Sequence, residues 1–212
     1  MTDRSKSTGG VPRGAKLGTA VAALALLLVA GAVFAAPAAA QEETTLAEMD
    51  GSGTEDDPYV ITNAEELQAM DQDLDANYVL GNDIDASDTE EWNARSGFVP
   101  IGDSTEYGDR SREPFAGSFD GQGYTITGLT IDRSSESYLG LFGVTSEQAV
   151  IEDASIEQAS VRGEGFIGTL VGNNRGKVVD SRAGGEISGT DVVGGLVGGN
   201  DGTVRASSAS GD

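Results

Sequence analysis

The chain has no cysteine and no histidine in 212 residues. Without Cys there is no disulfide framework, thiolate nucleophile, iron–sulfur cluster or lipid anchor on sulfur. Without His the commonest general base, the Ser-His-Asp triad and ordinary zinc sites are gone. Basic residues are scarce, 13 against 35 acidic ones, for a net charge of −22. Duplex binding relies on Lys and Arg neutralising phosphates, so nucleic acid is excluded as a partner. What the chain has in excess is glycine, 31 residues, about twice the usual share.

The acidity sharpens once the chain is divided. Residues 1–40 carry Arg4, Lys6, Arg13 and Lys16 against Asp3 alone. Residues 41–212 therefore hold 34 acids and 9 bases, with Lys177 the one lysine left. The charge is spread out rather than gathered in a tail. It repels itself in dilute salt and is screened at 1 M, where the Debye length is about 3 Å. The composition resembles that of proteins from extremely halophilic archaea, and high-salt adaptation is expected.

Residues 1–40 read as an export leader. Leu17 to Gln41 carries no charge, its apolar centre runs from Ala20 to Ala36, and basic residues precede it. Pro37 and Ala38-Ala39-Ala40 follow, fitting the small-x-small cleavage rule. Cleavage after Ala40 leaves Gln41 first, while an uncleaved segment 17–40 anchors the chain in a membrane. Either way residues 41–212 lie outside, at the cell surface or beyond it. The absence of a twin arginine favours a Sec-type signal.

The remainder divides into a linker and entry turn (41–57), the first part of a β-structure (58–137) and repeat coils (138–212). Tyr59 to Thr62 reads as a short strand. Asn63 followed by Glu66 is a capping-box pattern, and Leu67 and Met70 keep helical spacing, which predicts one short helix from Asn63 to about Asp71. Tyr78 to Leu80 is extended, and Ile84 between Asp83 and Asp85 reads as an inward residue between outward acids. Trp92 to Glu113 is a long polar stretch. Short β-rich runs follow at Phe115 to Phe119, Tyr124 to Ile131, Tyr138 to Val144 and Val150 to Ile156, with Asp120-Gly121 and Gln122-Gly123 as turns.

The last third repeats itself at an offset of 26. Gly168, Leu170, Val171, Gly172, Asn174 and Gly176 match Gly194, Leu196, Val197, Gly198, Asn200 and Gly202. Val178, Ser181, Ala183 and Gly185 match Val204, Ser207, Ala209 and Gly211. A weaker copy at Tyr138 to Gly143 has one residue fewer before its Leu. Such a period in a β-rich chain predicts a solenoid, with Leu stacked on Leu and parallel strands joining the coils. Equivalent glycines are expected at turns with φ > 0, and Asn174 and Asn200 are placed to form an amide ladder.

Ile167 to Gly176 (IGTLVGNNRG) and Val193 to Gly202 (VGGLVGGNDG) resemble the GLUG motif. Pro114 to Ile131, Tyr138 to Gly143 and Gly51 to Leu67 resemble the segments that precede such repeats. The resemblance implies an all-β, right-handed parallel β-helix of a few coils on a secreted or surface protein. To this fold the sequence adds the one short helix and the N-terminal signal helix. Its motif is structural, so no catalytic residue and no cofactor carry over. Two departures stand out. Thr169 replaces the second glycine of the motif. The second unit stops five residues short at Asp212, as in a truncated or split member, and an open last coil is suited to self-association.

Candidate chemistry is sparse. Asp50 to Asp57 alternates oxygen ligands as calcium loops do, but Glu55 stands where an EF-hand needs Gly, and Asx turns explain the same residues. Metal binding stays open. Asp83 and Asp85 are candidate paired carboxylates for glycosidic chemistry, or simply acids on a solvent-facing strand. Arg110 and Arg112 can grip a carboxylate or pair with Asp109 and Glu113. Trp92 and Tyr107 can stack on a sugar or cover a solenoid end. Serine is plentiful, but no base stands ready to activate it. The expectation is a non-enzymatic surface β-helix that meets surface polysaccharide or other cell-surface proteins. The other reading is a carbohydrate-active β-helix enzyme, marked by carboxylates or arginines converging on one groove across several coils.

Overall fold

In the computed structural model, described here for residues 44–102 and 113–211, short strands stack in parallel into three sheets. The leader, Tyr107, Arg110 and Arg112 lie outside the described residues. The first sheet contains β1 (Tyr59–Ile61), β2 (Asn77–Leu80), β4 (Ser118–Asp120), β8 (Val150–Glu152), β11 (Lys177–Val179) and β14 (Thr203–Arg205), in that spatial order. The second contains β3 (Ile84–Asp85), β5 (Thr125–Thr127), β9 (Ser155–Arg162), β12 (Arg182–Ser188) and β15 (Ser208–Ser210), and β6 (Thr130–Asp132) also pairs with β9. The third contains β7 (Phe142–Val144), β10 (Val171–Asn174) and β13 (Val197–Asn200). The result is a parallel β-solenoid of about three full turns, preceded by partial turns.

Each sheet turns one row of side chains inward, and in-register pairing stacks those rows into ladders. Tyr59, Tyr78, Phe119, Ile151, Val178 and Val204 form one. Ile84, Ile126, Ile156, Ala183 and Ala209 form another. Phe142, Val171 and Val197 form a third. Most members are almost fully buried, each large one contributing about 1.5–3 kcal/mol. Among the described residues no Asp or Glu is buried. The acidic side chains of the described residues therefore reach the surface, where solvent ions meet them.

The helix α1 (Ala64–Ala69) sits where the capping pattern put it. Asn63 Oδ1 accepts the Glu66 amide at 2.8 Å. The return bond is displaced by one residue, since the Glu66 carboxylate takes the Thr62 amide at 2.6 Å. Leu67 and Met70 are fully buried. Gln68 donates to the Val99 carbonyl at 3.0 Å and accepts its amide at 2.9 Å, tying the helix to the wall.

Two expectations about the turns need correction. Tyr124 to Ile131 and Val150 to Ile156 are each two strands, broken at Gly128 (φ 77) and Asp153 (φ 49). The repeat glycines, moreover, are mostly not the left-handed residues, Gly185 (φ 150) being the exception. Those corners fall to Phe166 and Val192, and to Asp153, Asp180 and Ala206, all with φ between 22 and 52. The repeat glycines serve close approach instead. A Cβ on Gly172 would lie 2.6 Å from the Gly143 oxygen, and one on Gly202 would lie 2.2 Å from that of Gly176. Neither position has room for a side chain between coils.

Candidate functional site

A groove of about 770 Å³ lies on the outer face of the second sheet. Alternation along the strands builds it. Ile131, Val161 and Ile187 point inward, so their neighbours point out. Thr130, Ser160 and Glu186 form one outward row, and Asp132, Arg162 and Ser188 form the next. The floor is thus two lines of polar groups at the spacing of successive coils, about 4.8 Å.

The far wall comes from residues 87–97, which leave the solenoid as short 3-10 turns and return. Ser96 to Phe98 lie beside β6. The Phe98 amide donates to the Thr130 carbonyl at 2.8 Å, and the Asp132 amide donates to the Ser96 carbonyl at 3.0 Å. The Thr89 hydroxyl accepts the Thr130 amide at 2.9 Å. Trp92 anchors the excursion from beneath, only 7% exposed and stacked on Phe98 at 6.4 Å. That burial removes Trp92 as a sugar platform. Glu90 and Arg95 remain on the rim. Arg95 bonds the Glu91 carboxylate at 2.5 Å. That bond holds the Glu91 carboxyl below its usual range and raises the guanidinium.

Arg162 makes no ion pair among the described residues, although Asp132 lies in register beside it. The groove therefore offers carboxylates (Glu90, Asp132, Glu186), guanidinium groups (Arg95, Arg162) and hydroxyls (Thr130, Ser160, Ser188) to one elongated ligand. Such a set matches the donors and acceptors of a polyol chain. It offers no exposed ring for stacking.

The other candidates disperse. Asp83 Oδ1 accepts the Thr125 amide at 2.9 Å, and Asp85 Oδ1 accepts the Ser87 amide at 3.0 Å. Each carboxylate finishes a corner, and the Ser87 bonds hold the Asp85 carboxyl below its ordinary range. In Asp50 to Asp57 the oxygens close a local turn, with the Thr54 amide donating to the Asp57 carbonyl at 3.2 Å. Among the described residues no three acidic side chains converge on a metal position.

The repeat residues form a spine. Asn174 is fully buried. Its Nδ2 donates to Asn200 Oδ1 at 2.8 Å, and its Oδ1 accepts the Thr145 hydroxyl at 2.9 Å. The ladder therefore begins on Thr145, a residue that the sequence reading did not single out. Ser146 and the turn after it fix Thr145 in place, with the Ser146 amide on the Phe115 carbonyl at 2.8 Å. Gly168, Leu170, Val171, Gly194, Leu196, Val197 and Gly198 line the same corner and sheet in successive coils.

No family model matches the chain, and no solved structure matches it. Two curated proteins are similar to it. Halomucin of Haloquadratum walsbyi is 38% identical over 146 residues, which is 66% of this chain and 2% of halomucin. A protein described as a Gly-rich membrane protein, from Evansella cellulosilytica, is 35% identical over 136 residues, which is 62% of this chain and 15% of that protein. The chain thus spans a small part of each relative.

Proposed function

We propose that residues 41–212 are a non-enzymatic, cell-surface β-solenoid of the GLUG type, exported by the leader and adapted to high salt. Its task is adhesion or matrix interaction, and its ligand is a surface polysaccharide held along the β6–β9–β12 groove. The groove carries this reading. Its two polar rows cross three coils, so a chain of hydroxyl-rich units meets a repeated pattern of donors and acceptors. Likeness to halomucin and to a membrane protein supports a surface setting, and the absence of buried acids among the described residues supports high salt. In the uncleaved form the leader adds a membrane tether.

The test is affinity electrophoresis of the protein through gels containing polysaccharides, neutral or carboxylated, run in concentrated salt. Retardation by at least one polymer is expected, with Arg162→Ala and Asp132→Ala each weakening it about tenfold, the loss of one charge-assisted bond. No retardation by any polymer, or equal retardation of both variants, overturns the assignment of the groove.

One observation favours the enzymatic alternative. Glu90, Asp132 and Glu186 share the groove with two arginines, the convergence that reading requires. All three carboxylates are exposed, whereas a general acid is ordinarily tuned by enclosure. Release of new reducing or unsaturated ends from a retarding polymer, lost in Glu186→Gln, would replace binding with catalysis.

A further inference from the structure

Two asparagines sit side by side in β10, and the fold uses the side chain of only one. Asn174 carries the amide ladder. The side chain of Asn173 makes no hydrogen bond among the described residues, although Asn173 is only 6% exposed. Its amide still touches solvent, because the Thr169 hydroxyl is the one wholly enclosed side-chain polar atom without a partner among the described residues. Asn173 lies in the middle strand of the third sheet, in register with Val144 on one side and Gly199 on the other. Both neighbouring coils are therefore in place around it.

Two aromatic rings stand at the corner that leads into this sheet. Tyr138 and Phe166 hold equivalent places there, each just before one of the paired residues Leu139 and Ile167. Both are half-buried, with φ of 64 and 52, a conformation that bulky residues seldom adopt. Their rings stack at 4.9 Å with 13° between the planes. Phe166 also reaches the surroundings of Asn173. The position that a Cβ would take on Gly199 is 2.8 Å from Asn173 Oδ1 and 2.8 Å from Phe166 Cδ1. Amide and ring thus converge over one glycine, which puts no side chain between them. None of these residues is charged, and none of them lines the groove.

We propose that Asn173 and Phe166 form a second ligand site, separate from the groove, that takes the acetamido group of an N-acetylated sugar. An unpaired amide beside an aromatic ring suits a neutral group that is polar on one side and apolar on the other. An acetamido group is both. Its carbonyl accepts from Asn173 Nδ2, and its methyl lies against the Phe166 ring. A hydroxyl on the neighbouring ring carbon of the sugar donates to Asn173 Oδ1, so both ends of the amide are satisfied. A carboxylate fits less well, because it only accepts and would leave Oδ1 unpaired. A sugar with hydroxyls alone has no methyl to offer the ring.

The test is saturation-transfer difference NMR of the protein in concentrated salt. The probes are N-acetylglucosamine and N-acetylgalactosamine, with glucose and acetamide as controls. Transfer to the acetyl methyl of at least one probe is expected, well above transfer to either control. Asn173→Ala and Phe166→Leu should each weaken that probe about tenfold, the scale of one hydrogen bond. The Asn173 side chain bonds to no part of the fold, so its alanine variant stays folded, which urea unfolding checks. Arg162→Ala, in the groove, should leave the signal unchanged, so this site stands or falls apart from the groove. Absence of transfer to both probes overturns the proposal. So does transfer to glucose or acetamide as strong as to the probes, a signal indifferent to both Asn173→Ala and Phe166→Leu, or a signal lost in Arg162→Ala.

Discussion

Replacing Thr169 by valine should stabilise the solenoid. Thr169 is fully buried, and its hydroxyl is the one buried side-chain polar atom among the described residues with no hydrogen-bond partner. Its backbone is satisfied, with the Leu141 amide on its carbonyl at 3.0 Å and its own amide on Gly195 at 3.4 Å. The hydroxyl alone is left without a bond. An orphaned buried group costs about 1–3 kcal/mol, whereas an apolar group of the same shape costs nothing comparable. Valine keeps the shape and the methyl contacts, so the expected gain is about 1–2 kcal/mol. For a unit of this size each kcal/mol moves the melting point by about 2–4 °C. Glycine, the residue of the matching position 195, also removes the hydroxyl. It gives up buried carbon worth about 0.8 kcal/mol per group and adds chain entropy, so it should fall below valine. Urea unfolding at fixed high salt, read as a shift of midpoint at constant slope, measures all three proteins. A valine variant no more stable than the wild type would refute the reasoning, because the hydroxyl would then have a partner.

Three further outcomes follow from the same geometry. Asn174→Ala removes the middle of the amide ladder and takes away the acceptor of the Thr145 hydroxyl, so it should cost about 2–4 kcal/mol, while Asn200→Ala at the exposed end costs about 1 kcal/mol or less; equal effects in urea unfolding would deny that burial sets the value. Gly172→Ala drives a Cβ into the Gly143 oxygen and should cost about 3 kcal/mol or more, whereas Gly123→Ala, with φ 80 and no atom within 4 Å, should cost only about 1 kcal/mol; the reverse order in thermal melts would return the repeat glycines to a turn role. The Asp85 carboxyl is depressed by the Ser87 hydrogen bonds, so its stabilisation is present above the ordinary Asp value near about pH 4 and lost as pH falls through the lower folded value. The gap in stability between wild type and Asp85→Asn should therefore close in strong acid, and a gap independent of pH would contradict this.

Much of the architecture is legible in the sequence because solenoid coils repeat their contacts. The 26-residue offset of Val178 and Val204, or of Ala183 and Ala209, is the strand register itself. The one-residue discrepancy of the earlier copy is real as well, since Leu139 pairs with Ile167 at an offset of 28 and Phe142 with Val171 at 29. The corners within β-rich runs were hidden, because a single left-handed residue bends the chain without a polar break. They leave a trace in apolar spacing. Ile126, Leu129 and Ile131 step by three and then two, as do Ile151, Ala154 and Ile156, and all six are buried. Strict alternation would have put one of each trio in solvent. The groove left no such trace. Its floor comes from strands about one coil apart, and its wall from an excursion whose polar residues read as loop.

The repeat is visible only in the last third for a reason that lies in the core. Along the first sheet the inward ladder shrinks from Tyr78 to Phe119, Ile151, Val178 and Val204, while the sequence separations between successive partners fall from 41 to 32, 27 and 26. The second sheet runs from isoleucines to Ala183 and Ala209 with separations of 42, 30, 27 and 26. Long coils have chain to spare for excursions, and large aromatic side chains fill the broader interior they enclose. A 26-residue coil has neither, so Val, Ala and Leu must fill it, and glycine must admit the neighbouring coil where backbones nearly touch. Periodicity is therefore the sign of a coil reduced to its smallest closed length. The longer N-terminal coils share the same registers, but their extra residues include the 87–97 excursion that forms the groove wall, a part of the surface that differs from coil to coil.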